Sequence, residues 1–148
     1  MNDIVCATRG GQGSRAVRTR AIALAQATKL PILFLYVVDL HQLSNGDDVL
    51  AEALHQEATW LGRVMLEIAR QQAGKAGVQA EVLIKTGLIG EELARILAER
   101  QAHCLLMGAP RHASSSVFGD DAIEQFAREI ESQTGVSVEI VHPGMPAS

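Results

Sequence analysis

Residues 81–111 read EVLIKTGLIGEELARILAERQAHCLLMGAPR. Two short apolar runs flank one amphipathic run. Ala80–Lys85 reads as a strand and Gly90–Arg100 as a helix that turns Leu93, Ile96 and Leu97 inward at helical spacing. His103–Met107 reads as a second strand, closed by Gly108. A strand, a helix and a strand in so few residues make a parallel crossover unit.

The same alternation extends in both directions. Upstream, Asp3–Thr8 reads as a strand, Thr8–Ser14 as a glycine-rich loop and Arg15–Lys29 as a helix with Val17, Ala21, Leu24 and Ala25 in one stripe. Ser14 suits the cap of that helix. Ile32–Val38 is apolar throughout, as expected of a strand covered on both faces. Asp39–Asp48 is a polar loop with Asn45-Gly46 as its turn. A long helix over Val49–Ala73 follows, its apolar face assigned to Leu50, Ala53, Leu54, Leu61, Val64, Met65 and Ile68 and its stop to Gly74 and Gly77. Downstream, a polar loop over Ala109–Phe118 leads to a helix at Asp121–Ser132, then Gly135 and a strand at Val136–Val141. Five strands alternating with helices predict an α/β fold: an open five-stranded parallel sheet with helices on both faces.

The chain has 148 residues, 47% of them hydrophobic and 20% charged, so one aliphatic domain over residues 1–142 is expected, with 143–148 as a flexible tail. A net charge of −4 argues against general nucleic-acid binding, and aromatics at 3% leave little to stack bases on. No apolar run reaches spanning length, and the start lacks the pattern of a signal peptide, which together suggest a cytoplasmic protein without membrane insertion. Cys6 and Cys104 lie in strand runs and are expected to be buried, reduced thiols.

In a sheet of this kind, ligands sit beyond the carboxyl ends of the strands, where the strand order reverses. The loops there hold the candidate chemistry. Gly11, Gly13 and Ala16 fit the G-x-G-x-x-G/A spacing that lets backbone amides approach a pyrophosphate, with Asp39 as a ribose-binding acid. The competing reading is a plain tight turn, and 148 residues leave no room for a second nucleotide-binding half. The loop also distantly matches the SGG-x-D-S loop of ATP pyrophosphatases, with Arg9 for the leading Ser and Gly13 for the Asp. Arg9, Arg15, Arg18 and Arg20 crowd twelve positions, and Arg111 ends the fourth strand's edge. Arg9 and Arg111 therefore suit an anion subsite, whereas Arg18 and Arg20 read as solvated surface. Ser114, Ser115 and Ser116 could contact phosphate, accept phosphorylation, or form a polar loop. Glu91-Glu92 and Asp120-Asp121 sit at helix starts, where acids offset the dipole. The five histidines are scattered, no C-x-x-C occurs and no G-x-S-x-G elbow is present, so neither a metal nor a catalytic residue is expected.

The order and lengths of these elements resemble the universal stress protein family over nearly the whole chain. IVCATRGGQGSRAVRTRAIALA resembles that family's opening, LPILFLYVVD its second strand, the 81–111 stretch its third strand, helix and fourth strand, and TGVSVEIV its last strand. The resemblance implies strand order 3-2-1-4-5 and a homodimer paired through Val136–Val141. It also implies an adenine-nucleotide site with AMP, ADP or ATP as ligand, contributed by Ala7, Thr8, Arg9, Gly10 and Gly11, by Val37, Val38 and Asp39, and by Met107, Gly108, Arg111, Ser114, Ser115, Ser116 and Gly119.

Within this site the chain departs from the family's G-x2-G-x9-G-[ST] signature. Gly108 matches the first glycine, Arg111 stands at the second, and Gly119 fits the third with a loop about two residues short. Asp120 stands where Ser or Thr would meet phosphate. The resemblance is thus to a subgroup with a modified, degenerate ATP-binding loop. The expected function is a regulatory or sensor module with a nucleotide or phosphate ligand. The alternatives are a protein-interaction module without a small ligand, bound to a regulatory protein partner, and an enzyme of the ATP pyrophosphatase type.

Overall fold

The apolar strand runs set the architecture, because a strand without polar alternation must be covered on both faces. The computed structural model describes residues 2–8, 13–39, 48–108 and 117–141. They form β1 (Ile4–Thr8), α1 (Gly13–Thr28), β2 (Ile32–Asp39), α2 (Asp48–Lys75), β3 (Ala80–Gly87), α3 (Ile89–Arg100), β4 (Cys104–Gly108), α4 (Val117–Thr134) and β5 (Ser137–Val141). All pairings are parallel, and the sheet order is β3-β2-β1-β4-β5. The expected topology and strand order are therefore present.

Two apolar layers sandwich the sheet. On one face Ile4, Cys6, Ile32, Phe34 and Leu106 meet Val17, Ala21 and Ala25 of α1 and Leu66, Ala69 and Ala73 of α2. On the other, Val5, Leu33, Leu35, Leu105 and Met107 meet Leu93, Ile96 and Leu97 of α3 and Ile130 of α4. The alternation of adjacent strand residues between the two clusters follows from the two-residue period of a strand. Buried side chains at both layers make burial of aliphatic area the main stabilising term.

Several details differ from the sequence reading. α1 begins at Gly13, so Ser14 lies inside the first turn and is not its cap. α4 begins at Val117, four positions before Asp121, which puts Gly119 in a helical first turn and not in a loop. The inward face of α2 is not the large aliphatic stripe. Gly62, Leu66, Ala69 and Ala73 face the sheet, whereas Leu50, Leu61, Val64 and Ile68 are exposed. The reason is steric: α2 lies close on β2, and a Cβ at Gly62 would stand 2.3 Å from Cδ2 of Tyr36. At that crossing only glycine admits the approach, with Ala69 and Ala73 small further along and Leu66 the one large residue on the face, whereas a hydrophobicity stripe selects large residues throughout.

Helix ends also use residues other than glycine. Lys29 (φ 61°) and Gln101 (φ 49°) adopt the left-handed conformation that closes α1 and α3, beside Gly77 and Gly135. At the amino edge of the sheet, Arg100 at the end of α3 bridges the buried Asp3 carboxylate (2.9 Å) and Glu81 (3.1 Å). That cluster pins the starts of β1 and β3 to one helix terminus.

Candidate functional site

The sheet order places the reversal between β1 and β4. β2 follows β1 to one side, while β4 and β5 lie on the other. At this switch point the strand ends converge by register. Ala7 pairs with both Leu35 and Met107, Thr8 with Tyr36, and Gly108 with Val141. One strand further out, Val38 pairs with Thr86 and Asp39 with Gly87.

The structure thus brings together Ala7, Thr8, Val37, Val38, Asp39, Met107 and Gly108 of the expected site. It distributes their side chains unequally. Ala7, Val37 and Met107 belong to the layer beneath α3 and α4. Thr8, Val38 and Gly108 follow the opposite phase of the strand and face the α1 and α2 side. Val37, Val38 and Met107 are all buried, so they form the floor of the switch point from two sides rather than one shared apolar wall. The Thr8 hydroxyl, itself buried, donates to the carbonyl of Leu35 at 3.4 Å and is thereby turned toward β2. Gly119 lies in α4, and Arg9, Gly10, Gly11, Arg111, Ser114, Ser115 and Ser116 lie outside the described residues.

Electrostatics at this edge come from α1. Its amino end follows β1 directly, its first turn holds no acid, and its backbone N–H groups carry the positive end of the dipole. Arg15 is exposed and Arg18 half-buried. Arg20 is not the solvated surface residue expected. Its guanidinium grips Glu139 through two hydrogen bonds, 2.8 and 3.3 Å long, and so ties α1 to β5. That carboxylate holds the Arg20 charge more firmly than usual. Behind the switch point, burial pushes the Cys6 thiol up to about 12, and Cys104 is raised by the same cause. Cys6 is thus held as a neutral thiol, inert as a nucleophile.

Two polar groups near this edge were not singled out as site residues. Glu92, read from sequence as an acid for the α3 dipole, is buried against Gly87 and bonded to Arg95 at 3.0 Å. His55 Nε2 lies 3.0 Å from Thr86 Oγ1, joining α2 to the end of β3. No sequence spacing connects His55 to Thr86, but an acid at a helix start just after a strand-ending glycine is a usable signal for Glu92. Among the described residues, no group of three His, Cys, Asp or Glu side chains could hold a metal, and no helix is long and apolar enough to cross a membrane. A groove of about 480 Å³ lies at the opposite, amino edge of the sheet, between Lys29 and the turn before β3, far from the strand carboxyl ends.

This topology and switch point agree with comparison to known proteins. The model of the universal stress protein family matches residues 1–120, and the chain belongs to that family. No curated protein matches the sequence. Among solved structures, a universal stress protein from Lactobacillus plantarum is similar, with TM-score 0.74, 18% identity and coverage of 95% of this chain and 97% of that one. A universal stress protein solved in complex with cAMP is similar with TM-score 0.67 and 20% identity, over 97% of this chain and 98% of that one. One from Archaeoglobus fulgidus in complex with dAMP is similar with TM-score 0.63 and 16% identity, over 95% and 98%.

Proposed function

We propose that the chain is a regulatory module that binds an adenine nucleotide, or a smaller phosphate ligand, at the carboxyl edge between β1 and β4, and that it works as a homodimer paired through β5. The observation that carries the ligand reading is the convergence at the switch point: the ends of β1 and β4 lie side by side, beneath a helix amino end without an acid in its first turn. Structural neighbours solved with cAMP and dAMP support adenine as the base. Arg9 and Arg111 supply the anion side in this reading, replacing backbone contacts that a glycine at position 111 would allow.

Support for the β5 pairing comes from comparing the two sheet edges. β3 carries exposed Glu81 and Lys85, charges that discourage strand addition. β5 carries one charge, Glu139, and Arg20 of the same chain already holds it.

Thermal melting with AMP, ADP, ATP and cAMP tests the ligand reading. A ligand at 100 times its Kd adds about 2.7 kcal/mol to stability, several degrees of Tm. Arg9→Ala should weaken that ligand about tenfold, the share of one charge-assisted contact. No shift with any nucleotide or with inorganic phosphate overturns the proposal in favour of an interaction module. Phosphate release from ATP would instead restore the enzyme reading. Light scattering tests the dimer, and a monomer at all concentrations counts against strand pairing.

A further inference from the structure

β5 is an edge strand, and its outer side is not bare. Along a strand the N–H and C=O of one residue point to one side and those of the next residue to the other. The Val138 N–H donates to Glu131 Oε2 of α4 at 2.9 Å, which turns Val138 away from β4. Two residues earlier, in the same phase, the Val136 N–H donates to Thr134 Oγ1 at 3.1 Å, and that hydroxyl donates onward to the Ile130 carbonyl at 2.6 Å. Val136, Val138 and Ile140 thus present their backbone groups to the outer side of the sheet, and Ser137, Glu139 and Val141 present theirs to β4. Two successive outward donors are met by side chains from the last turn of the same chain's α4.

This bears directly on strand addition. Two copies of β5 pairing about a twofold axis run antiparallel, and outward residues that face each other exchange N–H and C=O. With Glu139, the middle residue of β5, on the axis, Val138 of each copy meets Ile140 of the other. Moving the axis one residue either way still calls on the Val138 N–H. Every register that overlaps β5 from Val138 onward therefore needs the donor that Glu131 holds. The exchange is unequal. A carboxylate accepts more strongly than the neutral carbonyl that would replace it. An undisplaced carboxylate would also stand beside the incoming carbonyl oxygens. Glu131 and Val138 are only half-buried, so water could satisfy that N–H, and the cap is not needed to rescue a buried group.

We infer that Glu131 is an autoinhibitory cap on the β5 edge, which must release Val138 before a second copy can add its strand. The inference rests on the β5 reading proposed above and names the contact that regulates it. Each dimer requires two such releases, one per chain. The cap sits on the α4 side of the strand, whereas Glu139 is held by Arg20 on the α1 side, so the two acids of this edge act separately.

Sedimentation equilibrium of the full chain over a wide concentration range tests this, with far-UV circular dichroism to confirm folding. Glu131→Ala should dimerise at least tenfold more tightly than the native chain. Glu131→Gln, whose neutral amide oxygen is a weaker acceptor, should lie between the two, and it decides alone if Glu131→Ala does not fold. Glu129→Ala removes the same charge from an exposed position on the same helix and should leave association within about twofold. Amide hydrogen exchange at Val138 and Ile140 should be slower in the associated variant than in the same variant diluted to monomer. Equal association of the native chain and both Glu131 variants overturns the inference and leaves β5 pairing standing. So does a Glu129→Ala variant that tightens as much as Glu131→Ala, which would assign the effect to net charge. A tighter dimer without slowed exchange at Val138 and Ile140 overturns it too, because the copies then meet elsewhere. Absence of association in every form removes the β5 reading and the cap's role together.

Discussion

Gly62 is decisive at the scale of a single residue. Alanine normally gains about 1 kcal/mol over glycine inside a helix. Here an added Cβ would stand 2.3 Å from Cδ2 and 2.7 Å from Cε2 of Tyr36, on a ring that is held against the sheet layer. Overpacking of that kind costs about 1–3 kcal/mol and outweighs the propensity gain. Gly62→Ala should therefore lower Tm by a few degrees, and Tyr36→Leu in the same chain should recover part of the loss. A Tm equal to or above the native value would show that the ring moves aside freely. Cys6 gives a second residue-scale prediction. Its thiol sits at about 12 in the fold against 9.0 when solvated. Between those values the unfolded chain loses a proton that the folded chain keeps. Stability from this group is thus complete below pH 9 and falls by up to about 1.4 kcal/mol per pH unit as pH rises toward 12. Urea unfolding at pH 8 and at pH 10.5 should show that fall in the native chain and a smaller one in Cys6→Ala.

Among the elements, Arg100 does more than end α3. Its guanidinium spans the buried Asp3 carboxylate just before β1 and the exposed Glu81 of β3. Arg100→Met keeps the stem and leaves Asp3 buried without its cation, which should cost about 1–3 kcal/mol. Glu81→Gln, which removes only the exposed arm, should cost under about 1 kcal/mol. Equal costs from both variants in denaturant titration would contradict this division. None of that cluster shows in the sequence, because Asp3, Glu81 and Arg100 meet only after β1 and β3 are placed on either side of β2. The strands themselves were legible, since continuous apolar runs admit one reading when flanked by helical periods. So was the meeting of Ala7, Thr8, Val37, Val38, Met107 and Gly108, the strand-end residues of the candidate site, at one edge of the sheet, because all six fall at the carboxyl ends of parallel strands. The orientation of α2 was not legible, since its inward face is chosen by the clearance over Tyr36 rather than by hydrophobicity. Nor were the left-handed closures at Lys29 and Gln101, where a helix end imposes a conformation that neither residue prefers.

At the scale of the whole molecule, the two edges of the sheet are unlike. β3 ends it with the exposed charges of Glu81 and Lys85, and β5 ends it with one charge, Glu139, that Arg20 of the same chain already holds. Pairing through β5 about a twofold axis, as proposed, closes at two chains and leaves β3 at the outer rim, where its charges discourage further strand addition. Light scattering at rising concentration should accordingly show a step to two chains and a plateau there. A monomer at all concentrations would count against β5 as the pairing edge, and growth past two chains would require a second contact.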